Sequence, residues 1–240
     1  MSQANAKFCS DAGSKQMVNL KIRYDELMNP VLAALRALGG SGTNDEINNR
    51  VAEDLKIPAE QLEVLHSLVL LFDLGDTIMD EVTEVKDAGG TTLAAELIPG
   101  MADALRGFRV VGHQLALVAD ARPDTPSNVL RQHGLLDLFE MLVVSEVVGP
   151  AAGVASIDKP DPRIFRAALD ALGIGESDYS EVVMVGNNLE RDIVGANRLG
   201  LISVFFHWNE RRRTRPLTAE ETPCYTVTSA QELVELAASL

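Results

Sequence analysis

Short apolar runs that end in a polar residue recur along the chain from about residue 67, and they constrain the fold more than any other feature. The first run, SLVLLFD at residues 67–73, is continuously apolar up to its final acid, as is typical of a central parallel strand buried on both faces. Further runs, LALVA, MLVVS, VVMVG, ISVFF and CYTVT, alternate with helical patterns. This alternation predicts a doubly wound α/β parallel sheet that binds ligands at the carboxyl ends of its strands.

One helix between these strands has clear start and stop signals. Asp161 is a suitable N-cap and Pro162 a suitable first-turn residue. Gly173 fits the left-handed position just past the end of the same helix. These signals predict that Lys159 lies immediately before the start of the helix.

Composition and charge exclude several classes of partner. The chain has 240 residues, of which 46% are apolar, so it can bury a core. Its 21 basic and 35 acidic residues leave a net charge of −14, which disfavours nucleic acid and anionic membranes as partners. With only Cys9 and Cys224, the chain cannot build a disulfide framework or a zinc cluster from cysteines. Since a signal peptide and membrane-length apolar runs are also missing, we expect a cytoplasmic protein.

The chain divides into three predicted parts. Residues 1–19 include a polar stretch without periodicity and are expected to form a disordered or frayed tail. Residues 20–66 carry three helical patterns and predict a small helical domain. The character of the sequence changes at His66, so we place the α/β domain at residues 67–240.

Polar residues that follow the apolar runs are the candidates for chemistry. Asp73 ends the first run, within DLGDT, and a carboxylate at a strand end can act as a nucleophile. Taken alone, this motif is equally compatible with an ordinary Gly-Asp turn. The other candidates follow later runs and are Asp120, Lys159 in SIDKPDPRIF, and Asn187 and Asp192 in VVMVGNNLERDIVGAN.

Taken together and in this order, these features resemble the haloacid dehalogenase (HAD) superfamily over about residues 67–240. The stretches KPDPRIF and VMVGNNLERDIVGAN carry the most specific part of the resemblance. The resemblance implies a Rossmann-like hydrolase domain, here with a minimal cap, since residues 83–97 have room only for a small hairpin that turns at residues 88–90. An open site of this kind implies a bulky substrate or a cap supplied by a partner.

The resemblance also implies roles for individual residues. Asp73 corresponds to the nucleophile that becomes an aspartyl-phosphate, and Lys159 to the cation that stabilises charge during the transfer. A Mg²⁺ cofactor is implied as well. The implied catalytic residues are Asp73, Lys159 and Asp76; the phosphate-binding residues are Thr77, Ala119, Asp120 and Lys159; and the metal ligands are Asp73, Gly75 through its carbonyl, Asn187 and Asp192.

Three departures from the family pattern point to slow catalysis. The general acid expected two residues after the nucleophile is Gly75, and Asp76 could replace it only if the turn re-aimed its side chain. A phosphate-binding hydroxyl is replaced by Ala119, and one acid of the metal pair by Asn187. Loss of a general acid costs about 10² to 10⁴ in rate, so turnover is expected to be slow.

Interpretations of the same residues without a catalytic role remain open. Lys159 could be a solvent-facing lysine before a proline, and Asp192 could pair with Arg191 or Arg198. The basic cluster at residues 211–215 reads as a solvated loop, or as a surface that attracts an anionic substrate.

The N-terminal segment carries a second resemblance. Residues 24–66 resemble the first part of the winged-helix domain of Mrr-type restriction proteins, but the β-wing is absent because SLVLLFD follows at once. Residues 1–66 hold seven basic and nine acidic residues, which disfavours contact with DNA phosphates. A helical packing or dimerisation element is the favoured alternative.

Two main functions stay open at this stage. The leading one is a Mg²⁺-dependent phosphatase that acts on a phosphorylated small molecule or a phosphoprotein. The alternative is a catalytically impaired HAD domain used for binding or regulation, with or without DNA binding by the N-terminal helices. Dehalogenase chemistry uses the same carboxylate without a metal, but the missing cap speaks against it. The sequence does not specify the oligomeric state.

Overall fold

A computed structural model of the protein describes residues 67–240, together with Ala37 and Arg50. The tail predicted for residues 1–19, and the helices and winged-helix resemblance of residues 20–66, lie outside the described residues. From Leu68 to Leu240 the chain belongs to one compact unit.

Six parallel strands form the central sheet, and each coincides with one of the apolar runs. The six strands are β1 (Val69–Phe72), β4 (Gln114–Ala119), β5 (Met141–Val144), β6 (Val182–Gly186), β7 (Ile202–Phe206) and β8 (Tyr225–Val227). The chain starts at the centre, builds the sheet toward one edge, and then returns to build the other, which gives the order β5-β4-β1-β6-β7-β8. This confirms the predicted doubly wound α/β sheet. A small antiparallel hairpin contributes β2 (Val85–Lys86) and β3 (Thr92–Ala94).

Strand β1 shows why its sequence is continuously apolar. Leu70 and Phe72 face one hydrophobic cluster, whereas Val69 and Leu71 face a second cluster on the other side of the sheet. Because successive side chains of a strand point to opposite faces, a strand covered on both sides has no position for a polar residue.

Helices cover both faces of the sheet. The first cluster receives α1 (Met101–Val111), α2 (Thr125–Gln132) and α6 (Ala230–Ala237). The second receives α4 (Pro162–Ala171) and α5 (Val194–Leu199). A short helix, α3 (Ser145–Ala151), directly follows β5.

No helix was predicted from the sequence for the segments that form α1 and α3. Helix α1 lies between Gly100 and Gly112, which both have left-handed backbone conformations with φ of 82° and 96°. It is the crossover that carries the chain from the hairpin to β4. None of the helices in residues 67–240 has the length and hydropathy needed to cross a membrane.

Candidate active site

Asp73 lies at the carboxyl end of the central strand. Its backbone N–H donates to the carbonyl of Val185 at 3.0 Å, so the pairing of β1 with β6 continues up to this residue. Its side chain is 13% exposed, and Oδ2 accepts a hydrogen bond of 3.3 Å from the Thr77 hydroxyl. The carboxylate is therefore held by its own turn while it faces the cavity at the sheet edge.

Lys159 connects two carboxylates that come from distant parts of the sequence. Its Nζ lies 2.5 Å from Asp73 Oδ1 and 2.7 Å from Asp192 Oδ1, and its side chain is 2% exposed. This placement rules out a solvent-facing lysine. Asp192 does not pair with either arginine considered from the sequence, since Arg191 pairs with Asp120 and Arg198 pairs with Glu220.

Burial and charge act in opposite directions on this group of three. Burial alone would lower the pKa of Lys159, but the carboxylates of Asp192 and Asp73 outweigh it and raise that pKa. Burial raises the pKa of Asp192, and the Lys159 ammonium opposes this shift. Because the ammonium lies between two carboxylates at ion-pair distance, we take Lys159 as the charged partner of both.

Asp192 reaches the site through an irregular turn. Residues Leu189–Ile193 form a π-helical turn, a feature that is frequent at functional sites. Asp192 Oδ2 accepts a 2.9 Å hydrogen bond from the backbone of Asn188. A Cβ on Gly186, the last residue of β6, would overlap the Asp192 side chain, so the strand must end in glycine for this approach. Oδ1 of Asp192 has no hydrogen-bond partner of good geometry among the described residues.

Asp120 links the end of β4 to the lysine segment. Its Oδ1 accepts a 2.9 Å hydrogen bond from the Lys159 backbone, and its Oδ2 pairs with Arg191 at 3.1 Å. Burial raises the pKa of Asp120, and the Lys159 ammonium opposes this shift. Asp120 therefore positions the backbone from which the lysine side chain extends.

A cavity of about 460 Å³ opens above these residues. Its walls come from the loops after β1, β4 and β6, from the hairpin, and from the start of α3. Among the residues singled out in the sequence, those that line it are Asp73, Gly75, Ala119, Asp120, Lys159, Asn187 and Asp192. Ala119, the last residue of β4, brings only a methyl group to the cavity, and Thr125 and Ser145 also line it.

Two residues singled out in the sequence are not among those that line the cavity. Asp76 has a left-handed backbone, with φ of 52°, and its Oδ1 accepts a hydrogen bond from the backbone of Glu81 and lies 3.2 Å from Arg211. The turn does not re-aim this carboxylate, so the structure does not support Asp76 as a substitute acid. Thr77 is fully buried, and its hydroxyl donates to the Asp73 carboxylate.

Glu81 and Arg212 also line the cavity. Glu81 was not singled out in the sequence, and Arg212 was considered only as part of the basic cluster at residues 211–215. A Cβ on Gly75 would overlap Glu81 Oε1, so the glutamate occupies the space that a side chain at position 75 would need. Arg212 Nη2 donates to both oxygens of Glu81, at 2.8 and 3.0 Å. Burial raises the pKa of Glu81, and the Arg212 guanidinium opposes this shift. The only sequence signal was a set of opposite charges about 130 residues apart.

Three of the four arginines in the basic cluster at residues 211–215 pair with acidic residues. Arg211 pairs with Asp80 at 2.7 Å and packs 5.2 Å from the centre of the Trp208 ring. Arg213 pairs with Glu190 and Glu221. Because the guanidinium groups of Arg211, Arg212 and Arg213 are engaged within the chain, most of the cluster is not a free basic surface for nucleic acid.

The arrangement combines a carboxylate, a cation and further oxygen donors in one cavity. Asp73 can attack an electrophile, Lys159 can neutralise developing negative charge, and Asp192, Asn187 and the Gly75 carbonyl supply oxygen donors. Within residues 67–240 no group of three or more His, Cys, Asp or Glu side chains is arranged to hold a metal ion.

Known proteins with similar sequences include enzymes of two chemistries. The chain is 30% identical over 113 residues to a glyceraldehyde 3-phosphate phosphatase of Pyrococcus abyssi, covering 47% of this chain and 43% of that protein. It is 35% identical over 122 residues to a phosphoserine phosphatase of Thermus thermophilus, covering 51% and 43%. It is 30% identical over 136 residues to an (S)-2-haloacid dehalogenase of a Pseudomonas species, covering 56% and 52%. The chain thus spans about half the length of the curated relatives it matches.

Solved structures support the fold. A crystal structure of a HAD-superfamily hydrolase from Ehrlichia chaffeensis superposes with a TM-score of 0.53 and 13% identity, covering 71% of this chain and 96% of that one. The sequence pattern of the haloacid dehalogenase-like hydrolase family matches residues 68–200, more than half of the chain. Together with the sheet order and the placement of Asp73, this match shows that the chain belongs to the haloacid dehalogenase-like hydrolase family.

Proposed function

We propose that the protein is a Mg²⁺-dependent phosphohydrolase that acts through an aspartyl-phosphate on Asp73. The observation that carries the proposal is the contact of one buried ammonium, Lys159 Nζ, with both Asp73 and Asp192 at the floor of the cavity. Removing three charged groups from water carries a desolvation penalty that opposes folding, so a cluster of this kind is more readily explained by a function than by stability. That phosphatases are found among the relatives supports phosphate esters, and not organic halides, as the proposed substrates of this chain.

In this mechanism one oxygen of Asp73 attacks phosphorus, and the bond from phosphorus to the ester oxygen breaks. Lys159 stabilises the negative charge of the transferring phosphoryl group, and Thr77 holds the second oxygen of Asp73 in place. Water then attacks phosphorus of the aspartyl-phosphate, which releases inorganic phosphate and regenerates the Asp73 carboxylate.

The residues present fit a magnesium ion. The donors are oxygen atoms only. The buried Asp192 Oδ1 lies 2.7 Å from Lys159 Nζ but has no hydrogen-bond partner of good geometry among the described residues. Asp73, Asp192, Asn187 and the Gly75 carbonyl would hold the ion, and Mg²⁺ accepts one or two carboxylates with water and phosphate oxygens as the other ligands. When bound, it would neutralise charge on the phosphoryl oxygens. The neutral Asn187 should make binding weak.

We propose a phosphorylated small molecule or a phosphorylated protein as the substrate, and a cytoplasmic location. The hairpin Val85–Ala94 forms one wall of the cavity but is too small to enclose a ligand. We further propose that residues 20–66 form a separate helical unit ahead of the hydrolase domain at 67–240, with packing or dimerisation favoured over DNA binding. These residues lie outside the described part of the chain.

The proposal predicts weak, Mg²⁺-dependent hydrolysis of p-nitrophenyl phosphate that is abolished in Asp73→Asn, since an amide cannot act as the nucleophile. Asp76→Asn is the matched control within the same turn, and it should retain activity because its side chain is not among those that line the cavity. The measurement is nitrophenol release with and without Mg²⁺ for the wild type and both variants.

Each other result points to a different function. Hydrolysis that survives Asp73→Asn would remove Asp73 from the mechanism. Binding of phosphate without any turnover would favour the impaired binding domain, for which Gly75, Ala119 and Asn187 speak. Release of halide from a 2-haloacid, independent of Mg²⁺, would favour dehalogenase chemistry.

A further inference from the structure

Cleavage of an alkyl phosphate ester requires a proton for the departing oxygen, and the loop after β1 places a carboxylate next to the nucleophile. Glu81 Oε1 lies so close to Gly75 that a Cβ there would overlap it. Gly75 is two residues after Asp73, and both residues line the cavity together with Glu81. The side chain of Glu81 thus enters the space above position 75 from a point six residues further along the chain.

Arg212 holds Glu81 in this position. The guanidinium donates to both carboxylate oxygens, at 2.8 and 3.0 Å, from the loop after β7. The Glu81 side chain remains 37% exposed, so it can reach a ligand in the cavity and exchange protons with water.

Two other acidic residues that line the cavity have partners elsewhere. Glu84 accepts from the Thr92 hydroxyl at 2.6 Å and pairs with Lys86 at 2.8 Å. Asp120 is engaged by the Lys159 backbone and by Arg191. Neither occupies the space above Gly75, next to the nucleophile.

We propose that Glu81 is the catalytic acid and base of the phosphatase, in place of the side chain that Gly75 lacks. This inference rests on the proposed phosphohydrolase function. When Asp73 attacks phosphorus, the ester bond breaks and the departing oxygen takes the proton of Glu81 to leave as an alcohol. In the second step the Glu81 carboxylate accepts a proton from the attacking water, the bond from phosphorus to Asp73 breaks, and Glu81 is again protonated. The sum of both steps is ester plus water to alcohol plus phosphate.

Dependence on the leaving group tests this role. The leaving group of an alkyl phosphate is a strongly basic alkoxide, which needs the proton. The leaving group of p-nitrophenyl phosphate is nitrophenolate, a stable anion that does not need it. The parameter kcat/KM covers steps up to alcohol release, so it isolates the first proton transfer. Glu81→Gln should lower kcat/KM for glycerol phosphate by about 10² to 10⁴ and should lower kcat/KM for p-nitrophenyl phosphate far less.

Two further variants separate a catalytic role from a structural one. Glu84→Gln removes a neighbouring carboxylate of the cavity and should leave the ratio of the two kcat/KM values unchanged. Gly75→Asp combined with Glu81→Ala vacates the space above position 75 and fills it with a carboxylate, so it should restore part of the activity toward glycerol phosphate. Gly75→Asp alone should not raise the activity toward glycerol phosphate, because Glu81 already occupies the space that the new side chain needs.

The outcomes distinguish this inference from the function on which it rests. Equal losses for both substrates in Glu81→Gln, or no loss for either, would overturn the role of Glu81 while an inactive Asp73→Asn left the phosphatase mechanism standing. A wild type that hydrolyses neither substrate would overturn both.

Discussion

Gly186 lacks a side chain at a position where the active site requires space. Its position at the end of β6 lets the Asp192 side chain approach the backbone, and through Asp192 it also governs the contact with Lys159. The backbone of Gly186 is not in the left-handed region, so it is the neighbouring side chain, and not the local conformation, that requires glycine.

Gly186→Ala is therefore expected to displace Asp192 from Lys159. The added Cβ would overlap the Asp192 side chain, and misplacement by about 1 Å can cost on the order of 10² in rate. Overpacking should also lower the free energy of unfolding by about 1 to 3 kcal/mol. Phosphatase kinetics and urea unfolding measure the two effects.

Gly175→Ala is the matched control for that variant. At this position a Cβ would meet only ordinary contacts, the nearest being Ser177 Oγ at 3.7 Å. If Gly175→Ala and Gly186→Ala had the same effect on kcat/KM, the proposed steric requirement at Gly186 would be refuted.

At the scale of elements, helix α4 anchors the segment that carries Lys159. Asp161 caps the helix by accepting a 2.9 Å hydrogen bond from the backbone of Arg163, and Pro162 occupies the first turn. Gly173 is left-handed, with φ of 72°, just past the end. These features match the start and stop signals that the sequence predicted.

Removing this cap should destabilise the domain measurably. Asp161→Ala leaves the Arg163 N–H without its partner and is expected to lower the free energy of unfolding by about 1 kcal/mol. The N-cap of α2, Asp124, makes no side-chain capping bond, so Asp124→Ala should cost less. Equal losses in urea unfolding for the two variants would contradict the assigned cap.

At the scale of the whole molecule, a buried histidine couples folding to pH. His113 lies between α1 and β4, is 6% exposed, and accepts a 3.1 Å hydrogen bond at Nδ1 from the backbone of Leu68. Burial lowers the pKa of His113 from 6.5 to about 4. The folded protein therefore keeps this imidazole neutral at pH values where the unfolded chain protonates it.

The free energy of unfolding should fall as the pH drops from 6.5 toward 4. Below pH 6.5 the unfolded chain binds a proton at His113 that the folded protein does not bind. The contribution of His113 to stability is therefore fully present above pH 6.5 and is lost as the pH falls toward 4. The loss from this residue should reach at most about 3 kcal/mol. His113→Asn retains an acceptor without the titration and should show a shallower pH slope; identical slopes would contradict the assignment.

Much of the fold could be predicted because burial on both faces dictates composition directly. The run VLLF of β1 has one half of its side chains in each core cluster, so an apolar residue is required at every position and the strand is visible in the sequence. Helix α1 was missed although its ends are marked by Gly100 and Gly112, because glycine alone does not distinguish a helix end from a turn.

The candidate site likewise has features that local sequence determined and features that depend on the tertiary structure. The sequence determined where Asp73, Lys159 and Asp192 stand relative to strands and helices, because strand ends and helix caps are local properties of the chain. Only the tertiary structure decided that Lys159 lies between the two carboxylates, that Asp76 is held by Arg211, and that Glu81 fills the space above Gly75. These contacts join residues up to about 130 positions apart, and such pairings depend on how the strands are ordered in the sheet, which no local pattern encodes.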